Sequence, residues 1–405
     1  MIDVPAFRWF LLSMTGNWSS LQMQQVVRGW LVYQLTGSFA ALGGVALANA
    51  GPRLGLALYG GVIADRVSRR YVVQAGQAVS MLQAAVIAGL LFSDQLRFEH
   101  LLVSAVLQGI ANSFSQPARQ AMIPEIVGKE RLTNAFALNA SAMNTSRLLA
   151  PALGGALLAV IGPEWVYLLM TGLYALAILA MVRVPAAPPA AARIARPEAR
   201  RGRGGISEIA DAFRYLRTVP VLMMLLGVHL FIVTFSMPYQ RLLPGFVDEV
   251  LSDSPEQTAI RMGLLLTLTG MGALVGSLAI ASIPNRHRGA LLLGSTLVLG
   301  IALLAFSMST SFTVSAVVVV LLGVGMSGRQ ALTNVLIQTH VSDEYRGRIS
   351  SIQMMQMGLT SFGTFGIGIL AAVIGPQMAL GGAAVALIVL STAVFALVPN
   401  YRNLQ

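Results

Sequence analysis

The sequence predicts an all-α integral membrane fold of about twelve transmembrane helices, arranged as two pseudo-symmetric six-helix bundles. Three observations predict it. Of 405 residues, 56% are hydrophobic and only 11% are charged, against roughly 25% charged residues in a soluble domain. Apolar runs of bilayer-spanning length, ~20 residues each, recur along nearly the whole chain. Basic residues gather in alternate connections, the asymmetry that orients membrane spans.

The apolar runs lie at roughly 7–35, 38–63, 71–92, 100–122, 134–160, 164–183, 220–246, 260–283, 289–309, 312–337, 349–373 and 377–398. The first begins within ten residues of Met1 and is too long for the core of a secretory signal, so no cleavable signal is expected. Connections after the even-numbered spans carry Arg66, Arg69, Arg70, Lys129, Arg131, the run from Arg183 to Arg217, Arg286, Arg288, Arg346 and Arg348. The remaining connections carry Asp94, Glu99, Glu164, Asp248, Glu249, Asp253 and Glu256, with Arg97 and Arg261. Basic residues stay on the cytoplasmic side, so both termini and the central connection are expected there, with the chain in the inner (plasma) membrane. The net charge of +11 is then a topology signal, and no nucleic-acid partner is expected.

Residues 185–205 (PAAPPAAARIARPEARRGRGG) combine Pro, Ala, Gly and Arg without an apolar period and read as a flexible linker. Ile206, Ile209, Ala210, Phe213 and Leu216 follow at helical spacing, which suggests an amphipathic helix on the membrane surface. The expected organisation is therefore an N-terminal bundle over 1–184, a cytoplasmic linker with its helix over 185–218, and a C-terminal bundle over 219–405. The two bundles resemble one another at an offset near 213 positions: Ala159-Val-Ile-Gly-Pro163 recurs as Ala372-Val-Ile-Gly-Pro376, and Arg28 pairs with Arg241. Arg119-Gln120-Ala121 in the fourth span has its counterpart in Arg329-Gln330-Ala331 in the tenth. Such duplication suits secondary transporters, in which one repeat rocks against the other around a site near the bilayer midplane.

Gly61-Val-Ile-Ala-Asp65-Arg66-Val-Ser-Arg69-Arg70, in the turn after the second span, resembles the G-x-x-x-D-R-x-G-R-[RK] signature of the major facilitator superfamily. Only the internal glycine departs, as Ser68. A weakened counterpart, Ala281-Ser-Ile-Pro-Asn285-Arg286-His-Arg288, follows the eighth span. Pro151-Ala-Leu-Gly154-Gly155 is similar to the P-x-x-G-G core of the drug-antiporter motif. Ser115-Gln-Pro-Ala-Arg119-Gln-Ala, Ile123-Pro-Glu-Ile-Val127 and Tyr345-Arg-Gly-Arg348 resemble the branch containing macrolide and enterobactin exporters. The resemblance implies a secondary active transporter that exports a drug or siderophore-like amphipathic molecule by alternating access. Lipid translocation or uptake is the alternative, and a non-transporting membrane scaffold is the alternative of another class. It also implies that Gly61, Asp65, Arg66, Arg69, Arg70, Pro151, Gly154 and Gly155 serve gating, with Asp65 set against the start of the eleventh helix to hold the cytoplasmic side closed. The other reading of Asp65 is a loop cap, with the arginines fixing topology alone.

Ionisable residues inside a span are costly enough to point to function. Here they are Arg28, Arg53, Arg119, Arg147, Arg241, Arg329 and His229, with no Asp or Glu well inside any span. Proton-coupled transporters commonly place a carboxylate in the cavity, and Ala105 stands where the antiporter motif often carries an embedded Arg. His229 is therefore the central candidate for carrying a proton, since imidazole titrates near neutral pH; a hydrogen-bonded interior role is its other reading. Polar stripes at helical spacing run through the first span (Asn17, Ser20, Gln24, Arg28) and the fourth (Gln108, Asn112, Ser115, Arg119), and Gln353, Gln356 and Thr360 mark the eleventh. The resemblance places spans one, four, seven and ten around the central cavity. The candidate substrate-binding residues are thus Gln24, Arg28, Asn112, Arg119, His229, Arg241, Arg329 and Gln356. Guanidinium stays charged, so a cavity lined by several favours anionic or polyhydroxylated ligands over cations, unless the long side chains snorkel to the interfaces. Arg53 and Arg147 are expected to cover carbonyls freed by Pro52 and Pro151.

An enzyme is not expected. Cysteine is absent, and His100, His229, His287 and His340 lie in separate segments without an H-E-x-x-H pattern, so neither a metal site nor a cofactor is expected. No P-loop is present, so energy must come from a gradient or a partner, with a proton gradient as the expected source. The expected partners are a small-molecule substrate and the lipid bilayer, with the chain acting as a monomer.

Overall fold

The computed structural model describes residues 4–128, 131–186, 211, 214–283, 287–342, 345–398 and 401, with side chains described except at 57–66, 133, 148, 281, 346–348, 350, 351, 354 and 357. Among them every regular element is helical: α1 Pro5–Thr36, α2 Phe39–Arg66, α3 Arg69–Phe92, α4 Phe98–Val127, α5 Leu132–Val182, α6 Pro220–Ser236 and α7 Pro238–Phe246. A π-helical turn, Val247–Leu251, extends α7, and α8 Pro255–Ser282, α9 Arg288–Met308, α10 Phe312–His340, α11 Arg346–Ile374 and α12 Pro376–Leu397 follow. Met237 keeps helical angles (φ −68°, ψ −31°), so α6, α7 and the π-turn form one rod. It runs to Leu251, beyond the expected end at 246, because Pro238 and Pro244 each lack an N–H and the ladder re-forms around them. Ser254 then caps α8, its side chain accepting from the Gln257 N–H at 3.3 Å.

The pentapeptide repeat proves structural. Gly162 has φ 83° and ψ 163° and breaks α5 into two rods, so the described residues form twelve rods in all. Gly375 has φ 85° and ψ 154° between α11 and α12. In both, glycine supplies a backbone conformation that side chains avoid, and the following proline starts the next rod where its missing N–H costs nothing. Nothing would touch a β-carbon on Gly375, whereas one on Gly162 would come 2.6 Å from a Glu164 carboxylate oxygen. Gly375→Ala and Gly162→Ala should therefore each destabilise through backbone strain, by about 1–2 kcal/mol, since the Glu164 carboxylate can swing away from the new methyl group. Thermal melts in detergent check both.

The chain divides into two compact units, Met1–Thr36 with Ala48–Arg201, and Gly37–Leu47 with Gly202–Gln405. The start of α2 thus packs with the second unit. In the first unit α1 lies along both rods of α5, and α3 packs on α4 and α5. One end of it is a dense apolar cluster of Phe7, Phe10, Met14, Val73, Met122 and Met181. In the second unit α10 sits between α8 and α9, α12 covers α9, and α11 meets α6 and α12. Gly272 on α8 lies against the Val320 carbonyl, and Gly323 on α10 against that of Thr269, so the two backbones nearly touch. Small residues permit such contact where lipid supplies no hydrophobic driving force.

The surface is inverted relative to a soluble protein. Leu179, Val275, Leu278 and Val317 are exposed while Gln77, Gln83, Gln108, Arg119 and Arg329 are buried, as in a multi-pass membrane protein. Among the described residues seven helices are by themselves long and apolar enough to cross a bilayer. The buried polar stripes of α1 and α4 keep those two helices out of that set.

The expected amphipathic helix lies mostly outside the described residues, as do Ile206, Ile209, Ala210 and Phe213. Of that stretch, Tyr215 stacks on Tyr345 with centroids 4.0 Å apart and accepts hydrogen bonds from the Ser342 N–H and hydroxyl at 3.3 and 3.2 Å. Leu216 beside it is buried.

Candidate functional site

Each unit carries its own buried polar centre. In the first, the α1 stripe of Asn17, Ser20, Gln24 and Arg28 is buried throughout. The register of α1 against the second rod of α5 follows from two contacts: Ser13 Oγ donates to the Ala177 carbonyl at 2.7 Å, and a β-carbon on Gly16 would lie 3.2 Å from the Leu173 carbonyl. The rods run antiparallel, which carries Asn17 to the level of Tyr174 and Gln24 to that of Tyr167. Both tyrosines are fully buried, and both act electrostatically on Arg28. Asn17 Nδ2, Gln24 Nε2, Arg28 Nη1 and the Tyr167 hydroxyl have no hydrogen-bond partner among the described residues, while the Tyr174 hydroxyl has Ser80 beside it. Each such buried group costs ~1–3 kcal/mol, and a cluster of them calls for a functional explanation.

Arg119 on α4 is also buried, donating to Gln116 Oε1 at 2.8 Å. Tyr174 and Arg53 act on it electrostatically. Asn112 is half-buried two stripe positions away. The rest of the α4 stripe does something else. Gln108 accepts from the Gln83 amide and donates to Ser80 Oγ at 3.3 Å, while Ser104 donates to Gln83 Oε1 at 2.9 Å. Ser115 fits against Gly76. Gln108 and Ser115 therefore lock α4 to α3. Arg53 and Arg147 are exposed rather than folded over proline-freed carbonyls.

In the second unit α6, α10 and α11 converge. Arg329, 1% exposed, donates from Nη1 to His229 Nδ1 at 3.3 Å and from Nη2 to Gln330 Oε1 at 3.3 Å, with its Nε unpartnered. Guanidinium can only donate, so His229 accepts and is the neutral Nε2–H tautomer. Gln356 donates to the Leu226 carbonyl at 2.9 Å, one turn from His229 on α6, and leaves its own Oε1 unpartnered. His229, Arg329 and Gln356 thus belong to one centre, whereas Arg241 is half-buried further along on α7.

Of the gating candidates, the side chains of Gly61, Asp65 and Arg66 fall outside the described residues, on the helical backbone of α2. Arg69 bonds Glu125 at 2.9 Å and the Ala121 carbonyl at 3.0 Å, Arg70 bonds the Val184 carbonyl at 2.8 Å, and Arg183 lies 4.1 Å over the Trp9 ring. These arginines tie the ends of α1, α3, α4 and α5 together, a role beyond topology. Pro151 and Gly155 are buried in α5, and Gly154 meets Met23 of α1, where a β-carbon would come within 3.3 Å.

The tyrosines and the α3 glutamines were missed in the sequence. The available signal was Tyr167 and Tyr174 two helical turns apart, and Gln77, Ser80 and Gln83 three apart, each set on one face of an apolar span.

A family model described as transmembrane secretion effector matches residues 2–403. The staphyloferrin A transporter of Staphylococcus aureus (strain NCTC 8325 / PS 47) is 26% identical over 90% of this chain and 88% of its own. The multidrug efflux pump Tap of Mycobacterium tuberculosis (strain ATCC 25618 / H37Rv) is 27% identical over 80% and 76%, and the enterobactin exporter EntS of Escherichia coli O1:K1 / APEC is 26% identical over 87% and 82%. In fold, the crystal structure of the nucleoside transporter NupG superposes with a TM-score of 0.75 at 13% identity, covering 96% of this chain and 98% of that one.

Proposed function

We propose, from the premise that this chain belongs to the transmembrane secretion effector family of the major facilitator superfamily, that it is a secondary transporter exporting an amphipathic, drug-like or siderophore-like molecule by alternating access. Anionic or catechol-like amphiphiles are its preferred substrates. The observation that carries this is the burial of Arg28, Arg119 and Arg329, on which tyrosines, a histidine and another arginine act. A buried cation without a carboxylate is expensive and repels a second cation, so an anion is the ligand that repays it. Relatives named for siderophores and for drugs support the substrate class. The proton gradient is the proposed energy source, the monomer the working unit, and the inner membrane the location, with both termini cytoplasmic by the distribution of arginines.

Reconstitution tests the reading. Purified protein in liposomes with an imposed pH gradient should move an anionic amphiphile well above protein-free vesicles and a matched cationic one hardly at all. Flux no greater than in empty vesicles for every probe would leave a scaffold, and equal flux of both charges would leave a broad drug exporter.

A further inference from the structure

We infer that the first unit alone contains a built oxyanion subsite, formed by Gln24 and Arg28 of α1 with Tyr167 of α5, which takes the carboxylate or other planar oxyanionic head of the substrate. The inference deepens the proposed function and rests on it for the identity of the ligand as cargo.

The argument is one of unmatched chemistry. Arg28 is 5% exposed and Gln24 1%, and Tyr167 is fully buried. The unpartnered atoms at this level are Gln24 Nε2, Arg28 Nη1 and the hydroxyl of Tyr167. The nitrogens are obligatory donors, and a hydroxyl can donate as well. A neutral ligand with one acceptor would satisfy one of them. A cation would satisfy none and face Arg28. A carboxylate brings about four acceptor positions and a charge, and guanidinium is shaped to meet it through parallel N–H groups. The fold is built to hold this arrangement. Ser13 on Ala177 and Gly16 on Leu173 fix α1 against the second rod of α5, and Ser19 on Ser146 with Met23 on Gly154 fixes it against the first. The donors thus sit on a helix clamped on two sides, while Gln77, which donates to Ser13 Oγ at 2.9 Å, secures the clamp from α3.

The test uses the full-length protein in a maltoside detergent, with decanoate, decanamide, decylphosphate and decylammonium as matched probes. Binding is read as the shift in melting temperature with probe concentration. Decanoate should stabilise the parent at concentrations about tenfold or more below decanamide, and decylammonium should not stabilise it. Arg28→Gln should abolish the preference for decanoate over decanamide. Arg28→Lys should recover part of it, since charge returns without the paired N–H geometry. Tyr167→Phe, which removes a hydroxyl alone and keeps the packing, should weaken decanoate by about tenfold while leaving decanamide nearly unchanged. A stronger response to decylphosphate than to decanoate would overturn the carboxylate assignment in favour of a lipid-type headgroup. Unchanged discrimination in Arg28→Gln and Tyr167→Phe would overturn the subsite. Liposome flux separates this from the proposed function: decanoate binding without transport leaves the subsite and removes the exporter, whereas transport with unaltered discrimination in the variants does the reverse.

Discussion

Arg329→Gln is expected to raise the melting temperature and to cut transport of an anionic substrate at least tenfold. The two effects share a cause. Arg329 is 1% exposed and held by neutral partners, His229 Nδ1 at 3.3 Å and Gln330 Oε1 at 3.3 Å, with its Nε unpartnered. A buried ion costs several kcal/mol after relaxation, and two bonds to neutral acceptors return only part of that. Glutamine at this position would remove the charge and keep an amide to meet His229, stabilising the fold by on the order of 1–3 kcal/mol. The same change would remove the attraction that a buried cation offers an anion, worth at least tenfold in affinity. Thermal melts and liposome flux of the single variant read both. A structural role for Arg329 predicts that stability and flux fall together, and that result would sink the idea.

Opposed effects of this kind are expected where local rules of stability are broken for a site, and that is also where the sequence was most legible. The absence of Asp and Glu from the spans, together with arginines at matching places in both halves, identified Arg28, Arg119 and Arg329 before any coordinates. The repeat was equally legible, because Gly162-Pro163 and Gly375-Pro376 encode a backbone shape that only glycine followed by proline adopts readily; φ values of 83° and 85° bear it out. What could not be read was which neighbour a polar side chain answers. Gln108 and Arg119 lie on one stripe of α4, yet the first bonds α3 and the second does not. A helical period gives the direction of a side chain and is silent on what stands there. Tyr167 and Tyr174 were hidden for the same reason: within an apolar span a tyrosine reads as core, and its role emerges only when α1 brings Arg28 alongside. The long rod of α6 and α7 was hidden by its prolines, which normally end helices and here only loosen one.

His229→Gln is expected to leave folding and anion binding near those of the parent while flattening the pH dependence of transport. In the observed geometry His229 Nδ1 accepts the Arg329 N–H, which fixes the imidazole as neutral with its proton on Nε2. A second proton can enter only at Nδ1, and there it would displace Arg329 and set cation against cation. Protonation of His229 and anchoring of Arg329 are therefore mutually exclusive, and Arg329 is the charged group that acts on His229. A proton arriving from one side of the membrane would free the guanidinium, and its departure would recapture it. That exchange could couple a proton to the site without any intramembrane carboxylate. Glutamine distinguishes this from plain packing, because its Oε1 accepts the same hydrogen bond from Arg329 and cannot take up a proton at working pH. Flux into liposomes, measured from pH 4 to 7 with the gradient held constant, should vary severalfold in the parent and stay level in His229→Gln. A variant that keeps the parent's pH profile would move the coupling elsewhere, to Asp248, whose carboxylate accepts from the Thr258 hydroxyl at 2.9 Å, or to Asp65.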